Sequence, residues 1–156
     1  MRFDELPDDE ARALLLGCLA APGWAARVLA GRPYGSSGAL LAAADSAARE
    51  LTPDDLDAAL GGHPRIGERA ATGHNAAASA REQSGVGADV QDRLVHGNLA
   101  YEERFGHVFL IRAAGRTGEE ILTELERRLG NTPDAEQAET ADNLRQIAML
   151  RLEKEL

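Results

Sequence analysis

Apolar residues recur at every third or fourth position along most of the chain, which is the spacing of one face of an α-helix. Residues 6–20 begin with an acidic first turn and then place Ala11, Leu14, Leu15 and Cys18 at this spacing. The regular alternation of strands and helices that marks Rossmann folds and α/β barrels is absent. The pattern therefore predicts an all-α protein.

Residues that cap or stop helices divide the first part of the chain. A short helix within residues 21–33 is expected to end at Gly31 and Pro33. Ser36 or Ser37 is suited to cap the next helix, because a serine side chain accepts a hydrogen bond from the first turn. The inner face of that helix is predicted to consist of Leu40, Leu41, Ala44, Ala47, Ala48 and Leu51.

Two later helices carry an N-terminal signature of their own. Thr52 is placed as an N-cap directly before Pro53, a residue favoured at the first helical position, and Gly61 is suited to end that helix. Thr117 and Glu120 have the spacing of a capping box, in which each side chain bonds the backbone of the other residue. Both signatures predict where a helix begins.

The remaining segments complete the expected architecture. The stretch "SAREQ" predicts a short helix ended by Gly85, and residues 89–105 predict a long one. Residues 108–113 are apolar and β-prone, and a final helix is expected after Pro133. The buried positions of helix 89–105 are predicted to include Val90, Leu94, Leu99 and Tyr101. We expect one compact domain, residues 1–156, of about seven or eight helices with a short extended segment near residues 108–113.

Composition and charge narrow the classes of function. Hydrophobic residues make up 44% of the chain but aromatic residues only 4%, so the core must consist mainly of Leu, Ala, Val and Ile. The net charge of −9 argues against nucleic acid or an anionic membrane as a partner, because both require basic patches. A small anionic substrate would need a local arginine inside a pocket.

The single cysteine and the first residues indicate the compartment. Cys18 has no second cysteine to pair with, and its apolar neighbours predict a buried, unreactive side chain. The start "MRFDELPDDEAR" is acidic where a signal peptide is basic, and no apolar run approaches the roughly 20 residues that span a bilayer. We expect a cytoplasmic protein that does not enter a membrane.

Four histidines raise the question of a metal site. His63 and His74 are eleven residues apart, as are His96 and His107, and no pair has the close spacing of common metal-binding motifs. The phosphate-binding loop and the serine-hydrolase elbow are absent as well. We therefore expect no metal or nucleotide site.

The stretch "GGHPRIG", residues 61–67, holds one histidine outside any helix. Pro64 disfavours the helical conformation for His63, and the flanking glycines permit close approach of another element. His63 is then either a cap for the preceding helix or a general acid or base, since imidazole titrates near neutral pH.

Two further stretches admit a structural and a functional interpretation. "SAREQ" is either a solvated helical turn or a set of polar groups, Ser79, Glu82 and Gln83, that suits a ureido or imidazolone ligand. In "NLAYEERFGHVFLIR", Asn98, Tyr101 and Phe105 form a helical stripe. Arg104 either complements the helix dipole or binds a carboxylate or carbonyl in a pocket.

Three segments together resemble one family. "HPRIG", "SAREQ" and "NLAYEERFGHVF", in this order and at roughly this separation, resemble OHCU decarboxylase, and "NLRQIAMLRLEKEL" looks like that family's last helix. The chain is identified by this resemblance as a bacterial-type member, with the likeness weakest over residues 20–50. The family acts on 2-oxo-4-hydroxy-4-carboxy-5-ureidoimidazoline (OHCU), in the branch of purine catabolism that leads from urate to allantoin.

The resemblance implies an activity and a set of site residues. It implies an all-α homodimer that decarboxylates OHCU to (S)-allantoin without a metal or organic cofactor. His63 matches the catalytic histidine, and Glu82 is implicated in catalysis. The substrate-binding positions implied in the same way are Pro64, Ser79, Ala80, Arg81, Glu82, Gln83, Arg104, Phe109, Leu110, Ile111, Arg112 and Ala113. The chain departs from the family at His107–Val108, where many members have Phe-Pro, and in residues 68–78, which are rich in glycine and alanine.

The chemistry of decarboxylation fits these residue types. Loss of CO₂ leaves an electron pair on the ring, so the developing charge must be stabilised and one proton delivered to one face. A protonated His63 can do both, while Glu82 orients His63 or binds the substrate. Arg104 is expected to hold a ring carbonyl or to steer the anion, because a tight grip on the leaving carboxylate would stabilise the ground state.

Two other functions stay open from the residues alone. One is a non-catalytic helical interaction module whose partner surface is the C-terminal helix. The other is a metal-dependent hydrolase that uses His63 with His74 or His96. The first gives His63 no special role, and the second predicts that a chelator abolishes activity.

Overall fold

The structure is a computed structural model, which describes residues 1–61 and 88–156. These ranges contain eight helices and no strand, as the all-α prediction requires, and none of these helices is long and apolar enough to cross a membrane. The helices are α1 (Arg2–Glu5), α2 (Asp8–Cys18), α3 (Pro22–Ala30), α4 (Ser37–Ala48), α5 (Pro53–Leu60), α6 (Ala88–Phe105), α7 (Gly118–Arg128) and α8 (Pro133–Glu155).

The chain divides into two compact units. One consists of Met1–Gly62 with Glu139–Leu156, and the other of His63–Ala138, of which residues 88–138 are described. Each unit has buried apolar residues of its own. Whether the chain forms the single domain 1–156 stays a prediction.

The predicted N-caps are present. Ser36 caps α4 through its side chain. Thr52 and Asp55 form a reciprocal capping box, as do Thr117 and Glu120, and all four of these hydrogen bonds are 3.1 Å long. Each cap satisfies backbone N–H groups that have no partner inside the helix and contributes about 1 kcal/mol. The local signatures therefore fix where these helices begin.

Small residues let the helices of the first unit approach closely. Helix α3 packs against α2, α4 and α5. Trp24 on α3 is 1% exposed, and its Nε1–H donates to the carbonyl of Ala44 on α4 at 2.9 Å. The alanines with no exposed surface are Ala11, Ala21, Ala25, Ala44, Ala59 and Ala148. The core is thus built from alanine and leucine around one tryptophan, as the composition indicates.

Arg145 joins two helices of the first unit. Its Nη1 donates to Asp45 on α4 at 2.6 Å, and its Nη2 donates to Asp142 on its own helix α8 at 2.7 Å. Asp45 also accepts from Nε of Arg49 at 3.0 Å, and Asp142 accepts from the amide of Gln146 at 2.7 Å. The guanidinium is therefore held between two carboxylates.

In the second unit, α6 packs against α7. The buried side chains belong to both helices and to the segment between them: Leu94, Tyr101, Phe109, Ile111, Ile121, Leu122 and Leu125, with Val90, Phe105 and Leu129 partly buried against them. The prediction for Leu99 is wrong, because this side chain is 53% exposed and Asn98 is buried instead. Leu94, Asn98 and Tyr101 follow the helical spacing of four and three, and Leu99 falls off that face.

The segment between α6 and α7 turns at two glycines. Gly106 has φ +81°, and its N–H donates to the carbonyl of Glu102 at 2.8 Å, which ends α6 in the manner of a left-handed helix cap. Gly115 has φ +79°. Between them, residues 108–113 belong to no helix, as predicted, and no strand is assigned to them.

Candidate active site

The structure describes part of the predicted site. His63, Pro64 and the "SAREQ" positions Ser79, Ala80, Arg81, Glu82 and Gln83 lie outside the described residues, and so do residues 68–78. Arg104 and the five residues from Phe109 to Ala113 are described, and both belong to the second unit.

Arg104 lies in the last turn of α6, with its side chain exposed. One guanidinium nitrogen, Nη2, donates to the backbone carbonyl of Asn131 at 2.7 Å, just beyond the end of α7. The guanidinium carbon lies 5.0 Å from the ring centre of Phe105. Arg104 therefore connects the C-terminal end of α6 with the loop that precedes α8, and it presents its charge to solvent.

The segment Phe109–Ala113 enters the core at its beginning and leaves it at its end. Phe109, Leu110 and Ile111 are 1–3% exposed, Arg112 is half-buried and Ala113 is exposed. The ring of Phe109 lies 5.2 Å from that of Tyr101 in an edge-to-face arrangement. Such aromatic packing fixes the start of the segment, although it lacks the hydrogen-bond ladder of a strand.

Three backbone carbonyls of this segment accept hydrogen bonds from arginines. The carbonyl of Leu110 accepts from Nη1 of Arg128 at 2.8 Å. The carbonyls of Arg112 and Ala113 accept from Nε and from the backbone N–H of Arg116, each at 3.0 Å. The backbone of the segment is therefore held at several points by side chains and by its own turn.

Arg128 and Glu136 form a buried ion pair. Each side chain is 1% exposed, and the Nε and Nη2 groups of Arg128 both donate to Oε1 of Glu136, the former at 2.8 Å. The guanidinium carbon of Arg128 also lies 4.5 Å from the ring centre of Phe109. Removing two charges from water is costly, so such a pair persists where hydrogen bonds satisfy both groups.

The carboxylate of Glu136 accepts hydrogen bonds from α6, from α7 and from the loop between α7 and α8. Oε1 accepts from the hydroxyl of Tyr101 on α6 as well as from Arg128 on α7. Oε2 accepts from the side-chain amide of Asn131 at 3.0 Å. Since the carbonyl of Asn131 in turn accepts from Arg104, this network connects Arg104 with the segment that begins at Phe109.

Arg128 and Glu136 were not predicted from the sequence. Each resembles an ordinary surface charge, a basic residue in the last turn of α7 and an acidic residue in the first turn of α8. The available signal is their register: Ile121, Leu125 and Arg128 follow the apolar spacing of α7. Glu136 likewise begins a buried series at every fourth position of α8, continued by Thr140, Leu144, Ala148 and Leu152.

Among the described residues, neither the histidines nor the cysteine belongs to a group that could hold a metal ion. His96 is exposed on α6, and the half-buried His107 packs edge-on against Tyr101, with ring centres 5.6 Å apart. Within residues 1–61 and 88–156, no group of three or more His, Cys, Asp or Glu side chains could hold a metal ion. Cys18 is buried as predicted, and burial raises the pKa of its thiol, which keeps the thiol neutral.

The described residues include two of the groups that were predicted to bind substrate. The side chain of Arg104 is exposed, and the carbonyls of Leu110, Arg112 and Ala113 are held by hydrogen bonds. The groups suited to proton transfer, His63 and Glu82, belong to the part of the chain that is not described.

Comparisons with known proteins identify a family of similar sequences. The sequence model of the OHCU decarboxylase family matches residues 4–153. A 2-oxo-4-hydroxy-4-carboxy-5-ureidoimidazoline decarboxylase from Amia calva is 33% identical over 135 residues, which cover 83% of this chain and 77% of that protein. The uric acid degradation bifunctional protein TTL of Arabidopsis thaliana is 29% identical over 96% of this chain and 47% of that protein.

Solved structures show the same fold. The crystal structure of an OHCU decarboxylase in the presence of (S)-allantoin superposes with a TM-score of 0.75 and 25% sequence identity, over 96% of this chain and 97% of that one. An (S)-allantoin synthase gives a TM-score of 0.73 at 20% identity, over 99% of this chain and 53% of that one, and shares the fold.

Proposed function

The chain belongs to the OHCU decarboxylase family and is therefore a carboxy-lyase of urate degradation, and we propose that His63 is the proton donor of its reaction. The reaction releases CO₂ from OHCU and yields allantoin. The family match over residues 4–153 is the observation that carries this function, because it includes every segment that bears a predicted site residue.

The proposed mechanism assigns the proton to one residue. When the bond between the ring carbon and the carboxylate breaks, its electron pair passes into the ring and CO₂ leaves. A protonated His63 stabilises the developing negative charge and then delivers its proton to one face of the ring. Delivery to a single face gives one enantiomer, (S)-allantoin. Glu82 orients the imidazole of His63 or accepts a hydrogen bond from the substrate.

Substrate binding is assigned to two groups of residues. Pro64, the "SAREQ" turn from Ser79 to Gln83 and the backbone from Phe109 to Ala113 hold the ureido group and the ring. Arg104 holds a ring carbonyl or steers the anion, since a cation clamped on the leaving carboxylate would stabilise the substrate more than the transition state. The exposed guanidinium of Arg104 and the fixed backbone at Leu110 support these assignments. The mechanism uses no metal or organic cofactor.

Three further assignments rest on the sequence and on its resemblance to the OHCU decarboxylase family. We propose a homodimer, a cytoplasmic location and membership of the bacterial type of the family. The relatives described above come from a fish and a plant, so they do not favour a type.

The proposed function is tested with OHCU that is generated in situ. Urate oxidase and the following hydrolase generate fresh OHCU, and circular dichroism records the allantoin formed with and without this protein. We expect optically active allantoin to appear faster than in the control. Racemic allantoin forming at the uncatalysed rate contradicts the proposal, and loss of activity on adding a chelator contradicts the mechanism without a metal.

A further inference from the structure

The Arg128–Glu136 ion pair is buried within the second unit. A buried ion pair is often no more stable than apolar residues of similar volume, because desolvation offsets the attraction between the charges. Both side chains are nevertheless 1% exposed and engaged by hydrogen bonds. The contacts of the Arg128–Glu136 pair therefore indicate a role other than stabilising the fold.

The guanidinium of Arg128 holds the segment that is assigned to substrate binding. Its Nη1 donates to the carbonyl of Leu110 at 2.8 Å, and its carbon lies 4.5 Å from the ring centre of Phe109. Residues 108–113 belong to no helix or strand, so regular hydrogen bonding does not fix this backbone. One buried side chain thus holds two successive residues, Phe109 and Leu110, at the start of the segment Phe109–Ala113.

The carboxylate of Glu136 fixes the guanidinium in turn. It accepts from Nε and Nη2 of Arg128, which directs the remaining nitrogen, Nη1, toward Leu110. Tyr101 and Asn131 donate to the same carboxylate, and the carbonyl of Asn131 accepts from Arg104. Two of the proposed binding elements are therefore connected to one ion pair.

We propose that Arg128 and Glu136 are positioning residues, which fix the backbone at Leu110 and the neighbourhood of Arg104 for substrate binding and turnover. This role rests on the proposed function for its effect on catalysis. The hold on the Leu110 carbonyl is a property of the structure and is measurable without substrate. Small displacements of the groups that hold a substrate lower the reaction rate strongly, so we expect loss of the ion pair to lower kcat/KM by about 10- to 100-fold.

The test replaces the ion pair without leaving a buried charge. In the double variant Arg128→Met with Glu136→Gln, methionine has the unbranched shape of the arginine stem. Glutamine keeps an oxygen that accepts from Tyr101. The matched control is Arg93→Met with Glu126→Gln, the same chemical change in an exposed pair that joins α6 and α7 at 2.9 Å. Two quantities are measured for each: the ¹³C shift of the Leu110 carbonyl, and kcat and KM with fresh OHCU.

The expected result is an upfield shift of the Leu110 carbonyl together with the loss in kcat/KM, both confined to the buried double variant. An unchanged carbonyl shift in the folded variant overturns the proposal, and so does a changed shift with wild-type kinetics. If the wild-type protein turns over no OHCU, the proposed function fails. The carbonyl shift still decides whether the pair holds the backbone.

A conservative variant covers the case in which the double variant does not fold. Arg128→Lys keeps the charge, but a single ammonium lacks the fork that donates to Glu136 and Leu110 together. We expect the same direction of carbonyl shift and a loss of about 10-fold in kcat/KM. A folded Arg128→Lys protein with wild-type shift and kinetics overturns the proposal.

Discussion

Arg145 illustrates how one side chain links a contact to a pH dependence. The hydrogen bond from Arg145 is the largest influence on Asp142 and lowers the pKa of that carboxyl, with Gln146 acting in the same direction against burial. Burial alone would raise the pKa of Asp45, but the hydrogen bonds from Arg145 and Arg49 outweigh it and lower that pKa as well. Both carboxylates are therefore charged more readily in the folded protein than in the unfolded chain.

This difference predicts how stability varies with pH. A carboxyl whose pKa is lowered by folding stabilises the protein above its unfolded pKa, and the contribution is lost as the pH falls through the folded pKa. Arg145→Gln is expected to reduce the free energy of unfolding at neutral pH. The loss should be only about 1 kcal/mol, because the ion pairs of Arg145 with Asp45 and Asp142 are partly exposed. The loss should become smaller below the ordinary aspartate pKa of 3.8.

Urea unfolding at neutral and acid pH measures this effect. The control is Arg12→Gln, which changes an exposed arginine on α2. Equal losses for Arg145→Gln at both pH values, or equal losses for the two variants, contradict this prediction.

At the scale of the helices, the packing of α6 on α7 depends on a glycine. A Cβ at position 97 would lie 2.6 Å from Cδ2 and 3.2 Å from Cγ of Leu125, which is fully buried. Alanine favours a helix over glycine by about 1 kcal/mol, whereas overpacking a core costs about 1–3 kcal/mol. We expect the steric cost to exceed the gain in helix propensity, so that Gly97→Ala lowers the free energy of unfolding by about 1 kcal/mol.

Two comparisons isolate the steric cause. Gly17→Ala on α2 is the matched control, because its Cβ would meet no heavy atom within 4 Å in the described structure, and it should leave stability unchanged or raise it. In a Leu125→Val background, Gly97→Ala should lose its penalty, since the smaller side chain makes room. A stabilising effect of Gly97→Ala in the wild-type protein contradicts this interpretation.

Helix boundaries were predictable because their causes are local. Thr52 and Thr117 form their capping boxes within four residues of sequence, and Ser36 caps α4 through the next turn. Burial depends on contacts between helices, and there the predictions were less complete. Leu99 was expected to be buried but is 53% exposed, whereas Asn98, which its spacing placed in a stripe with Tyr101 and Phe105, is buried.

In the candidate site too, features with a local cause were predictable and features that depend on contacts between elements were not. Motif resemblance indicated Arg104 and the segment from Phe109 to Ala113, but their connection through Arg128 and Glu136 required the structure. A charged residue in a terminal turn has the same local sequence whether it faces solvent or the core. Only the packing of Phe109 and the position of the Leu110 carbonyl distinguish the two cases.

For the whole molecule, fold and family agree with the chemistry of the predicted residues. An acidic chain of net charge −9 that binds an anion needs local cations, and Arg104 presents one in the second unit. The Arg128–Glu136 pair fixes the backbone assigned to the ligand without exposing further charge. Under the proposed mechanism, the proton that His63 delivers completes the decarboxylation.

The most direct test of that claim compares His63→Asn with the wild-type protein on fresh OHCU. We expect the variant to keep the far-UV circular dichroism and melting temperature of the wild type, because asparagine retains a polar side chain at this position. Loss of a general acid should lower kcat by about 100-fold or more, leaving racemic allantoin to form at close to the uncatalysed rate. An unchanged kcat with optically active product would contradict the role of His63.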